Sequence, residues 1–279
     1  MMTLGCLFRE GKQRLREALI EEWELDAWYL LEHVSGCTRN EYYLYPERRM
    51  EVEQERKYLD LIQKRAMHIP LQHLTGRQEF MGYVFRINEH VLIPRQDTEI
   101  LVEEALKYVQ ADMEILDLCT GSGCILLSIL KMVPGLTGTG TDISEQALLV
   151  AEKNRADLGL EKEAKFRKSD LFEQVEGRFD RILSNPPYIP SEVVDTLMEE
   201  VQRYEPRTAL DGGEDGLYYY RKITEQSPAY LKPEGMLFFE IGYDQAEAVM
   251  ELMKQDFTNI HVVKDLAGLD RVVYGNLRV

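Results

Sequence analysis

The tetrapeptide Asn185-Pro186-Pro187-Tyr188 holds the residue types best suited to chemistry in this chain. Its two prolines fix φ and lack backbone donors, so the loop is stiff and its carbonyls are not used by a helix. The carboxamide of Asn185 offers an acceptor oxygen, and Tyr188 offers a flat ring with a hydroxyl. The Asn185 oxygen and the Pro186 carbonyl can accept both hydrogens of a planar amino group while the Tyr188 ring packs on its face. Acceptors that favour a pyramidal nitrogen localise its lone pair, which predicts activation of a weak nitrogen nucleophile. A plain Pro-Pro turn with a surface tyrosine is the alternative.

A glycine turn between a predicted strand and a predicted helix is suited to binding a cofactor. Glycines let a ligand approach the backbone closely, and a helix N-terminus favours an anionic group. The turn lacks both the full G-x-G-x-x-G pattern and the Gly-Lys-Ser/Thr of a P-loop, so it predicts a carboxylate ligand better than a pyrophosphate. The predicted cofactor-binding residues of this turn are Cys119, Thr120, Gly121, Ser122 and Gly123.

Acidic residues follow the next two predicted strands. Asp142 comes about twenty residues after the glycine turn, where an acid meets ribose hydroxyls in nucleotide-binding folds. Asp170 follows the third strand, where it can meet an adenine amino group with Leu171 against the ring. Each has a structural alternative, because Asp142 can cap the helix near Ser144 and Asp170 can cap a turn.

One ligand explains these strand ends together. S-adenosylmethionine carries a carboxylate, a ribose and an adenine, and its sulfonium bears an electrophilic methyl group. That methyl would point to the fourth strand end, where Asn185 lies. Asn185 is therefore predicted both to neighbour the cofactor and to bind the nitrogen that accepts the methyl group. Agreement between independent motifs supports the cofactor assignment more strongly than any one of them.

The elements that hold these residues alternate between strand and helix from residue 114 onward. Such alternation predicts an α/β fold with a doubly wound, mostly parallel sheet whose ligands bind at the carboxyl ends of its strands. The last two strands, joined through Gly268-Leu269, predict an antiparallel edge. The seven predicted strands lie near residues 115–118, 136–141, 164–168, 181–184, 236–241, 260–263 and 272–274.

The chain before residue 94 has a different pattern. Residues 1–75 have helical periodicity and predict a small all-helical domain, whose first apolar stripe consists of Leu7, Leu15, Ala18 and Leu19. Residues 76–93 predict a connecting β-hairpin around Gly82, and residues 94–279 form the predicted catalytic domain. The catalytic domain opens with a helix that Asp97 or Thr98 can cap. The helical domain has no catalytic constellation, so it is either a recognition module or inert packing.

Composition limits the function classes. The 279 residues are 44% hydrophobic and carry a net charge of −16, nearly all of it after residue 75. An acidic chain disfavours general nucleic-acid binding, although the acidity also serves solubility alone. We find neither a signal peptide nor a transmembrane run, and therefore expect no membrane association. The four cysteines lack C-x-x-C spacing, so we expect reduced thiols in the cytoplasm and no metal site.

These motifs together resemble a known family. Asp117 to Gly123 with Asn185 to Tyr188 is similar to class I S-adenosylmethionine-dependent amino-methyltransferases. Leu92 to Glu99 resembles the segment that marks HemK/PrmC-type release-factor glutamine methyltransferases, and so do residues 204–210 and 215–235. The chain departs from the family pattern at Cys119, a usual glycine, and at Gln96 and Asp97, a usual proline and glutamate. Cys119 is expected to limit the backbone freedom of the turn and to weaken cofactor affinity.

The resemblance implies an activity and a partner. The activity is methyl transfer to the side-chain amide nitrogen of the glutamine in the Gly-Gly-Gln loop of peptide chain release factors, and the helical domain would recognise that substrate. Direct nucleic-acid binding is not expected. Two alternatives are an N6-adenine methyltransferase acting on DNA or RNA and a non-catalytic cofactor-binding interaction protein. The net charge of −16 disfavours the first, and the intact Asn185 disfavours the second.

Overall fold

Helices and strands make up most of residues 1–278, the part of the chain that the computed structural model describes. The α-helices are α1 (Leu4–Glu17), α2 (Trp23–Ser35), α3 (Arg39–Leu44), α4 (Val52–Ala66), α5 (Leu71–Thr75), α6 (Gln96–Leu106), α7 (Cys124–Met132), α8 (Glu145–Leu158), α9 (Ser191–Val194), α10 (Glu199–Tyr204), α11 (Tyr218–Tyr230) and α12 (Ala246–Met253). The strands are β1 (Arg77–Phe80), β2 (Tyr83–Arg86), β3 (Glu114–Leu118), β4 (Thr137–Asp142), β5 (Ala164–Lys168), β6 (Phe179–Ser184), β7 (Leu231–Glu240), β8 (Phe257–Lys264) and β9 (Asp270–Leu277). In residues 1–278, no helix has the length and apolarity that a membrane crossing requires.

One compact unit consists of residues 1–76 together with 199–204. Its core is an apolar cluster centred on α1, α2 and α4 and supplied by leucines, Trp28 and Tyr58. Arg65 is 5% exposed, and its guanidinium contacts Asp26 Oδ2 at 2.6 Å and Glu200 Oε1 at 2.7 Å. This buried charge pairing holds the short helix α10 within the unit, since an unpaired buried arginine would be costly.

The apolar stripe of α1 was predicted to include Leu19, and that prediction is wrong. The helix ends at Glu17, and Leu19 has a φ of +58° and is 85% exposed. The left-handed residue reverses the chain, so the neighbouring Ile20 enters the core at 3% exposure instead.

The other described residues form the second unit, which contains the predicted sheet. Its seven strands run in the order β5-β4-β3-β6-β7-β9-β8. The pairs among β5, β4, β3, β6 and β7 are parallel, whereas β9 is antiparallel to both β7 and β8. Because its central strands are apolar on both faces, the sheet must be covered by helices on both sides. The predicted doubly wound, mostly parallel sheet with an antiparallel edge is confirmed.

The predicted hairpin is also present. Strands β1 and β2 pair antiparallel around Gly82, whose φ is +75°. Phe80 and Phe85 are buried, and the backbone N–H of Arg86 donates to Asn154 Oδ1 of α8 at 2.7 Å. The hairpin is therefore held within the second unit by both packing and hydrogen bonding.

Strand register determines which residues meet at the carboxyl edge of the sheet. Leu118 of β3 pairs with Ser184 of β6, and Ser184 pairs with Phe239 of β7. The next residues along the three chains are Cys119, Asn185 and Glu240, so these three lie side by side at the carboxyl edge of the sheet.

Candidate active site

One pocket opens at the carboxyl ends of β3, β4 and β6. Nine of the residues predicted as site residues line it: Cys119, Thr120, Gly121, Ser122, Asp142, Asp170, Leu171, Asn185 and Pro187. Three other predicted site residues, Gly123, Pro186 and Tyr188, are not among the lining residues, but each adjoins one of them in the chain. The topology thus brings the two predicted constellations, one for a cofactor and one for an amino group, into one cavity.

The glycine turn is tied to the end of β4. Thr120 donates its backbone N–H to the Thr141 carbonyl at 2.9 Å, and Gly121 donates its own to Asp142 Oδ2 at 2.9 Å. The other oxygen of Asp142 accepts the N–H of Ser144 at 2.8 Å. Burial raises the pKa of Asp142, and these N–H groups oppose that shift. Ser144, not Asp142, is the N-cap of α8, because its hydroxyl accepts from Ala147.

Backbone conformation explains the small residues of this turn. Gly121 and Gly123 have φ values of +54° and +79°. A Cβ at Gly123 would lie 2.9 Å from the Phe166 ring, whereas one at Gly121 would meet nothing within 4 Å. Cys119 also has a left-handed φ, +60°, which strains any residue except glycine. The turn is therefore packed from below at Gly123 and open towards the pocket at Gly121.

Asp117 lies under the turn with no solvent exposure. Its Oδ2 accepts the Thr120 hydroxyl at 2.5 Å, while no hydrogen-bond partner within residues 1–278 reaches Oδ1. Burial raises the pKa of this carboxyl to about 7, and the Thr120 hydroxyl opposes the shift. Asp117 does not line the pocket, but its hydrogen-bond partner Thr120 does.

The third strand end contributes an acid beside an apolar surface. Asp170 is exposed and Leu171 is 6% exposed with a φ of +49°. The Ser169 hydroxyl donates to the Leu171 carbonyl at 2.8 Å and fixes this bend. Tyr219 of α11 lines the same region of the pocket, and an aromatic ring there was not predicted.

The loop after β6 is clamped by a glycine-rich segment further along the chain. Ile189 donates to the Leu210 carbonyl at 3.0 Å, and Gly212 donates to the Ile189 carbonyl at 2.8 Å. A Cβ at Gly212 would lie 2.7 Å from Tyr188 Cα, and one at Gly216 would overlap the Tyr188 carbonyl oxygen. Gln245 Nε2 also donates to that carbonyl at 3.0 Å. The rigidity predicted from two prolines is thus reinforced by tertiary contacts.

Two polar residues behind this loop were missed by the sequence analysis. Asn185 donates from Nδ2 to the Thr98 hydroxyl at 3.3 Å, and the Tyr188 hydroxyl lies 3.5 Å from Glu240 Oε1. Thr98 and Glu240 are both 2% exposed. Thr98 belongs to the segment Leu92 to Glu99 that carries the family resemblance, but its only predicted role was a helix cap. Glu240 had no assigned role, although its position near the end of a predicted strand was available.

The predicted cap of the helix that follows residue 94 is wrong. Helix α6 has Arg95 at its N-cap with no side-chain cap bond, and Thr98 lies inside its first turn. Thr98 is drawn into the interior by Asn185 instead of capping the helix. Arg95 pairs with Glu205, whose other oxygen accepts the N–H of Ile93 at 3.4 Å. Glu205 thereby joins the segment before α6 to Pro206, another pocket residue.

Two family models match the chain. Residues 7–76 match the model described as the PrmC N-terminal domain, and residues 96–214 match the methyltransferase small domain. The second match includes the glycine turn, both acids and the tetrapeptide.

Curated relatives match almost the full length of the chain. It is 42% identical to the release factor glutamine methyltransferase of Caulobacter vibrioides, over 98% of this chain and 96% of the relative. It is 40% identical to the protein of the same name from Clostridium acetobutylicum, over 93% of each. The sheet also superimposes on the 16S rRNA N2 G1207 methyltransferase of T. thermophilus in complex with AdoMet and guanosine. That match has a TM-score of 0.53 at 19% identity and covers 72% of this chain and 50% of the other.

Proposed function

Because this chain belongs to the release factor glutamine methyltransferase family, we propose that it methylates the Gly-Gly-Gln glutamine of peptide chain release factors. The methyl donor is S-adenosylmethionine, and the product is N5-methylglutamine. The observation that supports this most is the shared pocket, in which Asn185 and Pro187 line the same cavity as Gly121, Asp142 and Asp170. A substrate amide nitrogen held at this loop would therefore lie beside a cofactor held by the other three residues.

The cofactor-side residues fit the groups of S-adenosylmethionine. Gly121 is open towards the pocket, Asp142 retains lone pairs for ribose hydroxyls, and Asp170 with Leu171 suits an adenine. The unpaired Oδ1 of Asp117 suits a donor such as an ammonium group. When bound, the cofactor supplies an electrophilic methyl group on a positively charged sulfur.

The residues of the tetrapeptide orient the substrate amide. Asn185 Nδ2 is used by Thr98, so Asn185 Oδ1 is left to accept one N–H of the glutamine side chain. The Pro186 carbonyl accepts the second N–H. This carbonyl is not used by a helix, because the two prolines prevent the loop from becoming helical. The Tyr188 ring packs beside the amide. Localising the nitrogen lone pair in this way lowers the barrier by electrostatic preorganisation, and the nitrogen loses one proton to water after it gains the methyl group.

The helical unit is assigned to recognition of the protein substrate. Three consecutive residues at the end of α3 are strongly exposed: Tyr43 at 69%, Leu44 at 70% and Tyr45 at 63%. Exposed apolar residues in a cluster are typical of protein-binding surfaces. A cytoplasmic location accompanies this proposal, since all four cysteines are free thiols.

The test is methyl transfer from labelled S-adenosylmethionine by the purified full-length protein. We expect label on a release factor, and none on the same factor whose Gly-Gly-Gln glutamine is replaced by alanine. DNA and RNA are offered in parallel, because the tetrapeptide can also hold the amino group of adenine. Label on adenine alone would replace the proposed function with that of a nucleic-acid methyltransferase, and no label on any acceptor would contradict both.

A further inference from the structure

Glu240 is a buried carboxylate for which the proposed reaction has no use. It is the last residue of β7 and is 2% exposed. No hydrogen-bond partner in the described chain reaches its Oε2. An incompletely paired carboxyl group in the interior costs folding free energy. Its presence beside the amide-binding loop therefore indicates a functional role.

The groups that face Glu240 come from four elements. The Tyr188 hydroxyl, from the loop after β6, lies 3.5 Å from Oε1. Thr98 and Asp97 face it from α6, and Arg271 faces it from β9. Tyr220 of α11 donates to its backbone carbonyl at 2.9 Å.

Arg271, the cation that faces Glu240, also pairs with two aspartates. The Arg271 guanidinium contacts Asp265 Oδ2 at 3.0 Å and Asp97 Oδ2 at 3.3 Å. Its charge is therefore shared with two other acids, and the hydroxyls of Tyr188 and Thr98 are the neutral donors nearest to the Glu240 carboxyl.

Thr98 links this carboxyl to the catalytic carboxamide. A hydroxyl has one proton to donate and lone pairs to accept with. Asn185 Nδ2 donates to the Thr98 oxygen at 3.3 Å, so the Thr98 proton is free for the carboxylate of Glu240. An ionised carboxylate can only accept, which gives the series Asn185, Thr98, Glu240 a single direction of donation.

We propose that Glu240 is a positioning residue that acts through Thr98 to keep the Asn185 carboxamide oxygen directed at the substrate nitrogen. This inference rests on the proposed function. Protonated Glu240 is itself a donor, so the Thr98 proton can turn to Asn185 and pair with its Oδ1. The carboxamide then presents Nδ2 to the substrate NH₂, and two donors face each other.

The ionisation of Glu240 falls near neutral pH. Burial raises the pKa of Glu240 to about 7, with Asp97 adding to the shift and the Thr98 hydroxyl, Arg271 and the Tyr188 hydroxyl opposing it. The correct carboxamide orientation is therefore present above that pH and is lost as the pH falls through it.

The test compares Glu240→Gln with the wild type in the full-length protein, using a release factor as substrate. In the wild type we expect kcat to rise across pH 7, with the variant flat between about pH 6 and about pH 9. At the upper end the variant loses roughly 10- to 100-fold in kcat, the range of one hydrogen bond to a charged group. The KM for release factor and the Kd for S-adenosylmethionine should change little, because neither depends mainly on this carboxamide.

A pair of Thr98 variants separates positioning from folding. Thr98→Val removes the hydroxyl link and should lose kcat as Glu240→Gln does, while Thr98→Ser should recover it. Glu104→Gln is the matched control, since Glu104 is 5% exposed in the same unit, pairs with Lys107 and lies outside the pocket. Its pH profile should follow the wild type. An unchanged profile in Glu240→Gln, or wild-type kcat in Thr98→Val, would overturn the inference.

A measurement without turnover distinguishes this inference from the proposed function. The Asn185 Nδ2 proton resonance of the ¹⁵N-labelled protein should shift with a midpoint near pH 7 in the wild type and not in Glu240→Gln. If release factor is not methylated but this titration is seen, the proposed function fails while the link between Glu240 and Asn185 stands. If release factor is methylated and the resonance does not titrate, the inference alone fails.

Discussion

Asp142 and Gly121 are 21 positions apart, and the carboxylate of the first accepts the backbone N–H of the second at 2.9 Å. The bond joins the end of β4 to the turn after β3, so the two parallel strands fix each other's loops. A carboxylate has about four lone-pair sites, and the N–H groups of Gly121 and Ser144 use two of them. The others remain for a ligand.

Replacement of Asp142 by alanine should weaken cofactor binding. The variant loses both the ribose acceptor and the tie to Gly121, so we expect the Kd for S-adenosylmethionine to rise roughly 10- to 100-fold. Isothermal titration calorimetry measures it directly. Asp157→Ala is the control, because Asp157 is an exposed acid that pairs with Arg86. Equal affinities in the two variants would remove Asp142 from the site.

Replacement of Asn185 by alanine should separate chemistry from cofactor binding. Transfer to release factor is expected to fall at least about 100-fold, because the acceptor that localises the nitrogen lone pair is lost. The cofactor Kd should stay within about threefold of the wild type, since other residues hold that ligand. Both quantities are measured on the same preparation, and loss of cofactor binding would show that Asn185 is misplaced in our account.

Position 119 should accept a substitution by glycine better than one by valine. Its φ of +60° costs a residue with a Cβ about 1 kcal/mol or more, and a β-branched side chain fits worst. Cys119→Gly should bind S-adenosylmethionine at least as tightly as the wild type, whereas Cys119→Val should lower both affinity and unfolding free energy. Calorimetry and urea unfolding give the two readouts, and the opposite order would contradict backbone strain at this position.

Glu240 should contribute more to the unfolding free energy at acidic pH than at basic pH. Burial raises its pKa from an ordinary 4.5 to about 7, so between these values the folded state holds a proton that the unfolded chain has released. Its contribution to the unfolding free energy is complete below 4.5 and is lost as the pH rises through about 7, by roughly 3 kcal/mol. Asp117 changes stability with pH in the same direction, because burial raises its pKa from 3.8 to about 7. It is present in both the wild type and Glu240→Gln, so its effect cancels in the comparison. Urea unfolding of Glu240→Gln should show a flatter curve across this window, and parallel curves would exclude the titration.

The exposed tyrosines of α3 should affect substrate recognition and not chemistry. Tyr43→Ser combined with Tyr45→Ser removes apolar surface that is 69% and 63% exposed, so we expect a KM for release factor raised roughly tenfold with kcat nearly unchanged. Tyr29→Ser is the control, because Tyr29 is 43% exposed on α2 of the same unit. An unchanged KM would assign recognition to another surface.

Much of the fold was predictable because its signals are local. Short apolar strands such as residues 115–118 and 181–184 alternate with helices, and that pattern alone gives a parallel sheet with its ligands at one edge. The placement of Cys119, Asp142, Asp170 and Asn185 at the pocket was predictable for the same reason, since each ends a strand or follows one within two positions.

The polar groups behind the pocket were not predictable from local pattern. Thr98 reads as a helix cap until the fold brings Asn185 to it from 87 positions away. The sequence predicts Glu240 only as the polar end of an apolar strand. Its side chain is buried because β9 and α11 pack around it. At Leu19, one left-handed residue outweighed the helical periodicity.

Gly212 and Gly216 have no side chain to offer, yet the backbone of Tyr188 occupies the volume where their Cβ atoms would be. An alanine at either position would displace the tetrapeptide loop without altering any group that takes part in the reaction. Sequence variants of this enzyme are therefore harmful wherever an added methyl group displaces the loop, and a survey of polar or charged substitutions alone would overlook them.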